Sequence, residues 1–312
     1  MVSKLLSVLT SFGRAFGRTA THCVNKMLVF EFQIKSDSTQ HTMSIVAIES
    51  LDDPRLEPYR SLKRTNLTRW SGLFIAEGVR LVERLVESDF RVVSILTAET
   101  HLRRVPETLP DDVPIFVAPL PLLEQLVGYQ FHNGMLACGE RKESPRLEDW
   151  LTQDFEPRLI VGCPHTADPD NLGTIIRISA AFGADGLLVG NLSSDPFSRR
   201  TLRISMGNAF LMPIRETMTF EEDMVRMQKD FGYAAYATML DPNACPLASA
   251  KRPSKLLLIL GNESDGLPES IACLADQKIM IPMADKIDSL NVGIAAGIML
   301  HHFTQVAEQI SV

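Results

Sequence analysis

Metal-ligand spacing is missing from these 312 residues. There is no C-x-x-C, and no histidine pair has ligand spacing. The five cysteines (Cys23, Cys138, Cys163, Cys245 and Cys273) are odd in number and far apart. That speaks against structural zinc and a disulfide framework, and for reduced thiols in a cytoplasmic protein. An apolar run long enough to span a membrane is missing too. The longest, "NVGIAAGIML", is broken by glycines and flanked by His301 and His302, and reads as a buried helix. Positive charge is not in excess: the net charge is −7, which excludes a broadly basic nucleic-acid binder but not local basic patches.

Nucleotide-phosphate motifs are lacking as well. The stretch "LLLILGNESDGLP", from Leu256 to Pro268, comes nearest. A strand-like run ends there at Gly261, and Gly266 completes the glycine frame of a P-loop. Leu267 and Pro268 stand where that loop needs a lysine and a hydroxyl. Glu263 and Asp265 inside the loop would repel a triphosphate. No G-x-G-x-x-G is present either. The glycines serve another ligand, or only a turn.

The length suggests two domains. Residues 1–43 read as a poorly ordered N-terminal extension. Its first 42 residues hold Lys4, Arg14, Arg18, Lys26 and Lys35 against Glu31 and Asp37, with many Ser and Thr. A transit peptide, a disordered tail and an over-extended start before Met43 all fit that composition. Residues 44–141 form a compact α/β unit. "GLFIAEG", "RVVSILTA", "IFVAP" and "GMLACGE" read as strands, and "DPRLEPYRSLKRTNLTRW", "VRLVERLVES" and "PLLEQLVG" as helical stretches. The polar "RKESPRLEDW" places a linker at 142–154.

Residues 155–312 form a second α/β series. Strands "RLIVGCP", "GLLVG", "MPIRE", "YAAYATML", "LLLILGN" and "KIMIPM" alternate with helices, among them "NLGTIIRISAAFG", "FSRRTLRISMGNAF" and "FEEDMVRMQKDFG". Such alternation predicts a parallel sheet flanked by helices. Ligands of such sheets sit at the carboxyl ends of the strands.

Three segments follow strands in this part: "DPDNLGTIIR", "LGNESDGLP" and "IPMADKIDSLNVGIAAG". Their order and content resemble the three motifs of the SpoU (TrmH) family of RNA ribose methyltransferases, in the SPOUT superfamily. The resemblance covers about Leu159 to Val306. "RTNLTRWSGLFIAEGVRLVERL" also resembles the substrate-binding domain often fused ahead of it.

The resemblance implies a knotted parallel sheet and a homodimer packing through the carboxyl-terminal helix region. It also implies S-adenosylmethionine as cofactor and a ribose 2′-hydroxyl of structured ribosomal or transfer RNA as acceptor. That cofactor is a cation with an adenine and no phosphate, so an apolar slot with exposed backbone donors and acceptors suits it. Gly261, Ile281 and Leu290 are the cofactor residues by resemblance, although core packing explains the last two equally.

Arg177 lies six residues after Asn171. Its spacing alone makes it a solvated helix charge, while the resemblance makes it the catalytic arginine, as base or as anchor. Guanidinium groups stay protonated near neutral pH, so holding a phosphate and the attacking oxygen is the less costly role. Glu263 is the acid of the second motif and otherwise a solvated loop residue. Asn171 and Asn291 suit helix caps or substrate contacts, as does Ser289. Methyl transfer in line requires positioning and no metal.

For RNA contact, Arg60, Lys63, Arg64 and Arg69 form one basic cluster and Arg199, Arg200 and Arg203 another. Either is equally a solvated helix face. One departure stands out: Asp285 occupies a place where the family usually has glycine. A non-catalytic RNA-binding or assembly protein on the same fold is the alternative reading.

Overall fold

The computed structural model describes residues 20–24, 27–35, 40–60, 71–131, 134–152, 158–262, 265–284, 289–307 and 309–310. The chain divides into two compact units, Met1–Lys142 and Glu143–Val312.

The first unit is built on a seven-stranded sheet. Its strands are β1 (Ala20–Val24), β2 (Met27–Lys35), β3 (Gln40–Ala47), β4 (Leu73–Glu77), β5 (Val92–Ala98), β6 (Ile115–Ala118) and β7 (Met135–Glu140), in the order β1-β2-β3-β6-β5-β7-β4. The contacts of β6 with β3 and β5 are parallel, and the other pairings are antiparallel. Helices α1 (Glu57–Arg60), α2 (Val79–Val86) and α3 (Leu120–Val127) accompany the sheet. Leu81, Val82 and Leu85 form the buried strip of α2, as helical periodicity requires. Ile75, Leu96, Phe116, Leu123 and Phe131 build the core around Tyr59. The Tyr59 hydroxyl donates to the Ser94 carbonyl at 3.1 Å, so its burial leaves no polar group unpaired.

Two expectations meet a different arrangement here. β1 and β2 fall inside the stretch read as poorly ordered up to residue 43. The alternation of Leu28, Phe30, Phe32 and Ile34 with other residue types is strand periodicity, which the composition argument passed over. The charged stretch beginning at Asp53 is helical as far as Arg60, and 61–70 lie outside the described residues.

The second unit begins earlier than the expected linker allows. Helix α4 (Leu147–Leu151) buries Leu147, Trp150 and Leu151 in this unit's core. Trp150 lies against the bare Cα of Gly186, where an added Cβ would come within 2.7 Å of the indole. Upstream, the Ser144 hydroxyl donates to the Glu216 carbonyl and accepts from its N–H, both at 2.8 Å. A polar, proline-bearing composition hid this anchoring, because three apolar residues in five suffice once a sheet face receives them. Trp150→Ala is expected to destabilise the unit by about 3–5 kcal/mol, read as a lower urea midpoint by circular dichroism.

Seven parallel strands form its sheet: β8 (Leu159–Cys163), β9 (Gly186–Gly190), β10 (Ile214–Thr217), β11 (Ala234–Thr238), β12 (Cys245–Pro246), β14 (Leu256–Ile259) and β15 (Gln277–Met280). Their order is β10-β9-β8-β14-β11-β15-β12. β13 (Arg252–Pro253) pairs with β16 (Gln309–Ile310) apart from this sheet. β8, β9 and β14 are buried along their whole length, as a parallel sheet covered on both faces demands. The covering helices include α5 (Pro169–Ala181), α6 (Arg199–Ile204), α7 (Phe220–Phe231), α8 (Glu269–Ala272) and α9 (Val292–His301). α6 is shorter than its apolar pattern suggested. Met206 at φ +55° and Gly207 at φ +76° turn the chain out of the helix.

The strand order decides where the site lies. β14 inserts between β8 and β11, so a loop from late in the chain emerges beside the loop that follows β8. The carboxyl ends of β8, β14, β11 and β15 therefore stand side by side.

Candidate active site

The loop after β14 folds on itself. Asn262 N–H donates to the Gly266 carbonyl at 2.7 Å, and Gly266 N–H returns to the Asn262 carbonyl at 3.1 Å. Gly266 takes φ +69°, open to glycine at no steric cost. A Cβ on Gly261 would sit 3.0 Å from the Gly266 carbonyl carbon and 3.2 Å from the Leu267 nitrogen. The close backbone approach expected at Gly261 is thus made first to its own loop. The Asn262 side-chain amide then donates to the His165 carbonyl at 3.1 Å, tying this loop to the one after β8.

The loop after β15 leads into α9, and Asn291 caps that helix. Its Oδ1 accepts from Gly293 N–H at 2.9 Å and Ile294 N–H at 3.3 Å. The amide is thereby oriented, and its Nδ2 donates to Asn171 Oδ1 at 2.8 Å. Asn171 lies in the first turn of α5, which Asp168 caps by accepting from Asp170 N–H at 2.9 Å. Behind this amide pair the two helices pack closely. A Cβ at Gly293 would fall 2.7 Å from Thr174 Cγ2, and one at Gly297 would be 3.7 Å from Ile178 Cδ1. The glycines of "NVGIAAGIML" therefore serve packing within the chain.

These loops enclose a cavity of about 460 Å³. Gly261, Ile281 and Leu290 lie in its wall together with Ser289, Met283 and Leu267. Thr238 at the end of β11, with Met239 and Leu240 after it, closes another side, and Met299 of α9 lies behind. The size falls within the range of small-molecule sites. Among the described residues the wall is mainly apolar side chains and loop backbone, with Asp265 as its carboxylate. That set suits an adenine and a cation.

Arg177 projects from α5, exposed, three residues after Thr174 and six after Asn171. It is outside the cavity wall, and among the described residues no hydrogen bond or ion pair holds its guanidinium. Asn171 and Asn291 are also outside the wall, next to it through Val292. Glu263, Asp285, Lys63, Arg64 and Arg69 lie outside the described residues. Arg60 is held within the first unit by the Asp53 carbonyl at 3.1 Å and Glu57 at 3.2 Å. Arg199, Arg200 and Arg203 line up along α6, with Arg203 exposed. Arg200 reaches back to α5 and grips Asp170 in a fork, Nε to Oδ1 at 2.5 Å and Nη2 to Oδ2 at 2.6 Å. These bonds hold the Asp170 carboxyl below the usual carboxylate range.

Sequence reasoning missed Asn262 as the tie between loops, and Met239, Met283 and Met299 as wall. An Asn before a glycine-closed turn was a legible sign for the first. Methionine has no comparable signature.

The amide pair yields a sharp expectation. Asn291→Asp keeps an oxygen on the α9 N-terminus but opposes a carboxylate to Asn171 Oδ1. Helix stability should hold, whereas Asn291→Ala should cost about 1 kcal/mol of cap. Both should lose methyl transfer, so a thermal melt beside a turnover assay separates cap from site.

The SpoU rRNA Methylase family model matches residues 158–301. The chain is 28% identical over 234 residues to the 23S rRNA (guanosine-2′-O-)-methyltransferase RlmB of Acinetobacter baylyi, across 72% of this chain and 94% of that one. It is 26% identical over 256 residues to the 23S rRNA (guanosine(2553)-2′-O)-methyltransferase RlmP of Bacillus subtilis, across 82% and 98%. An AdoMet-bound rRNA methyltransferase from Sinorhizobium meliloti superposes with a TM-score of 0.73 at 28% identity, covering 82% of this chain and 96% of that one. The second unit is a methyltransferase domain of the SpoU family.

Proposed function

We infer that the cavity beside the Asn171–Asn291 pair is where this RNA methyltransferase holds S-adenosylmethionine, and that the acceptor is a ribose 2′-hydroxyl of structured RNA, ribosomal or transfer. The observation that carries this reading is the convergence of Gly261, Ile281, Leu290 and Ser289 on one wall. When bound, the cofactor supplies a methyl group on a positively charged sulfur. Ile281 and Leu290 would line the slot for its adenine, and the backbone at Gly261, Gly266 and Leu267 would offer polar contacts to it. Asp265 offsets the positive charge. Arg177 holds the phosphate beside the target ribose and orients the attacking oxygen, a role in which a fixed, always-charged fork suffices. The amide pair sets the angle at which α5 presents that arginine.

The protein works as a homodimer in the cytoplasm. Ile294 and Ile298, one turn apart on α9, are 57% and 39% exposed, whereas the glycine face of the same helix is spent on α5. A second copy covers this strip. Among the described residues no helix is long and apolar enough to cross a membrane. A knotted chain end belongs to the same reading, with the insertion of β14 between β8 and β11 in its support. Arg60 with its neighbours, and Arg199 and Arg203 on α6, supply RNA contact.

Calorimetry with S-adenosylmethionine, followed by ribose-methylation mapping of RNA from a strain lacking the gene, tests the reading. Binding together with one missing 2′-O-methyl mark is expected. Absent binding with RNA affinity retained would favour an assembly protein instead.

A further inference from the structure

The α6 arginines form one basic cluster in the sequence, yet Arg200 has a partner on α5. Its guanidinium is committed in a bidentate grip on Asp170, although the side chain is 61% exposed. The N-terminal turn of α5 carries two acids, Asp168 and Asp170, immediately before Asn171. Asp168 is exposed and also feels the Arg200 charge. A helical turn is about 5.4 Å long, well inside the screening length of about 8–10 Å in ordinary salt. Both carboxylates therefore lie within a screening length of a phosphate held at Asn171, and either, left uncompensated, would repel it.

We propose that Arg200 is a positioning residue that serves RNA binding through Asp170: it cancels a carboxylate charge at the phosphate approach and braces the first turn of α5, rather than contacting RNA itself. The geometry supports this over direct contact. The fork spends the side-on edge of the guanidinium, Nε and Nη2, on one carboxylate and leaves only the end-on edge. Asp170 is fixed on the helix side too, since its carbonyl accepts from the Thr174 hydroxyl at 2.8 Å. Thr174 in turn meets Gly293 of α9, so the brace continues into the helix that carries Asn291. This proposal rests on the reading of the chain as an RNA methyltransferase.

A four-variant comparison decides it: wild type, Arg200→Ala, Asp170→Asn and the double variant. The methyl acceptors are ribosomal and transfer RNA extracted from a strain lacking the gene, with labelled S-adenosylmethionine. Arg200→Ala should raise the RNA KM about two- to fivefold at low salt, the scale of an exposed ion pair. The kcat and the cofactor affinity should stay near wild type. The double variant should return KM to near the wild-type value, because the uncompensated charge is gone, and Arg200→Lys should recover most of it. Raising salt should shrink the Arg200→Ala effect. An equal KM penalty in both Asp170 backgrounds would overturn the proposal in favour of direct phosphate contact. So would a fall in kcat with KM unchanged. A wild-type protein that methylates neither RNA would instead remove the RNA reading and this proposal with it.

Discussion

Arg177→Ala is expected to lower methyl transfer at least about 100-fold, the scale of losing one preorganised group at a reacting oxygen. S-adenosylmethionine affinity should remain near wild type, because Arg177 lies outside the cavity wall. Fold stability should hold as well, since the side chain is exposed on α5. The split between lost turnover and retained cofactor binding is the informative part. If the substitution also abolished cofactor binding, Arg177 would belong to the cavity and not to the acceptor side. Arg177→Lys keeps the charge but loses the planar fork. It should rescue little if orientation of the oxygen matters, and much if charge alone does.

Gly261→Val is expected to produce the opposite pattern, with S-adenosylmethionine binding lost. An added Cβ alone would press on the Gly266 and Leu267 backbone at 3.0–3.2 Å, and the γ-methyls add to that. Overpacking of this kind costs about 1–3 kcal/mol. Here the atoms that must yield are the wall of the cavity, so the cost falls on the bound state. The dissociation constant for the cofactor should rise at least about tenfold, as isothermal calorimetry would register. RNA binding measured without cofactor should change little. Unaltered cofactor affinity would show that the loop adapts without disturbing its ligand.

The two substitutions mark how far the sequence could be read. Alternation of strand and helix after residue 155 was plain because buried parallel strands such as "LIVGC" and "LLLI" are apolar on both faces. The three loop segments were visible as motifs, and the structure places Gly261, Ile281, Ser289 and Leu290 together although they are spread over 30 residues. Their convergence depends on β14 entering between β8 and β11, a long-range pairing that no local pattern encodes.

The amide pair joins residues 120 positions apart, and the grip of Arg200 on Asp170 spans 30. Charge counting can only register such groups one at a time. The same limit explains the linker at 142–154. Trp150 and its neighbours look like part of a polar connector until the face of a sheet is supplied for them. In the first unit, composition outweighed periodicity, and the strand signal of 27–35 was lost in a basic, hydroxyl-rich stretch.

The central claim is that one cavity, walled by the loops after β14 and β15, presents the cofactor's sulfur to the acceptor side formed by Arg177 and Asn171. A crystal structure with S-adenosylhomocysteine bound tests it most directly. The adenine should lie between Ile281 and Leu290 against the Gly261 backbone, with the sulfur turned toward Asn171 and Arg177. Density for the ligand anywhere else, or a sulfur facing away from α5, would contradict the account.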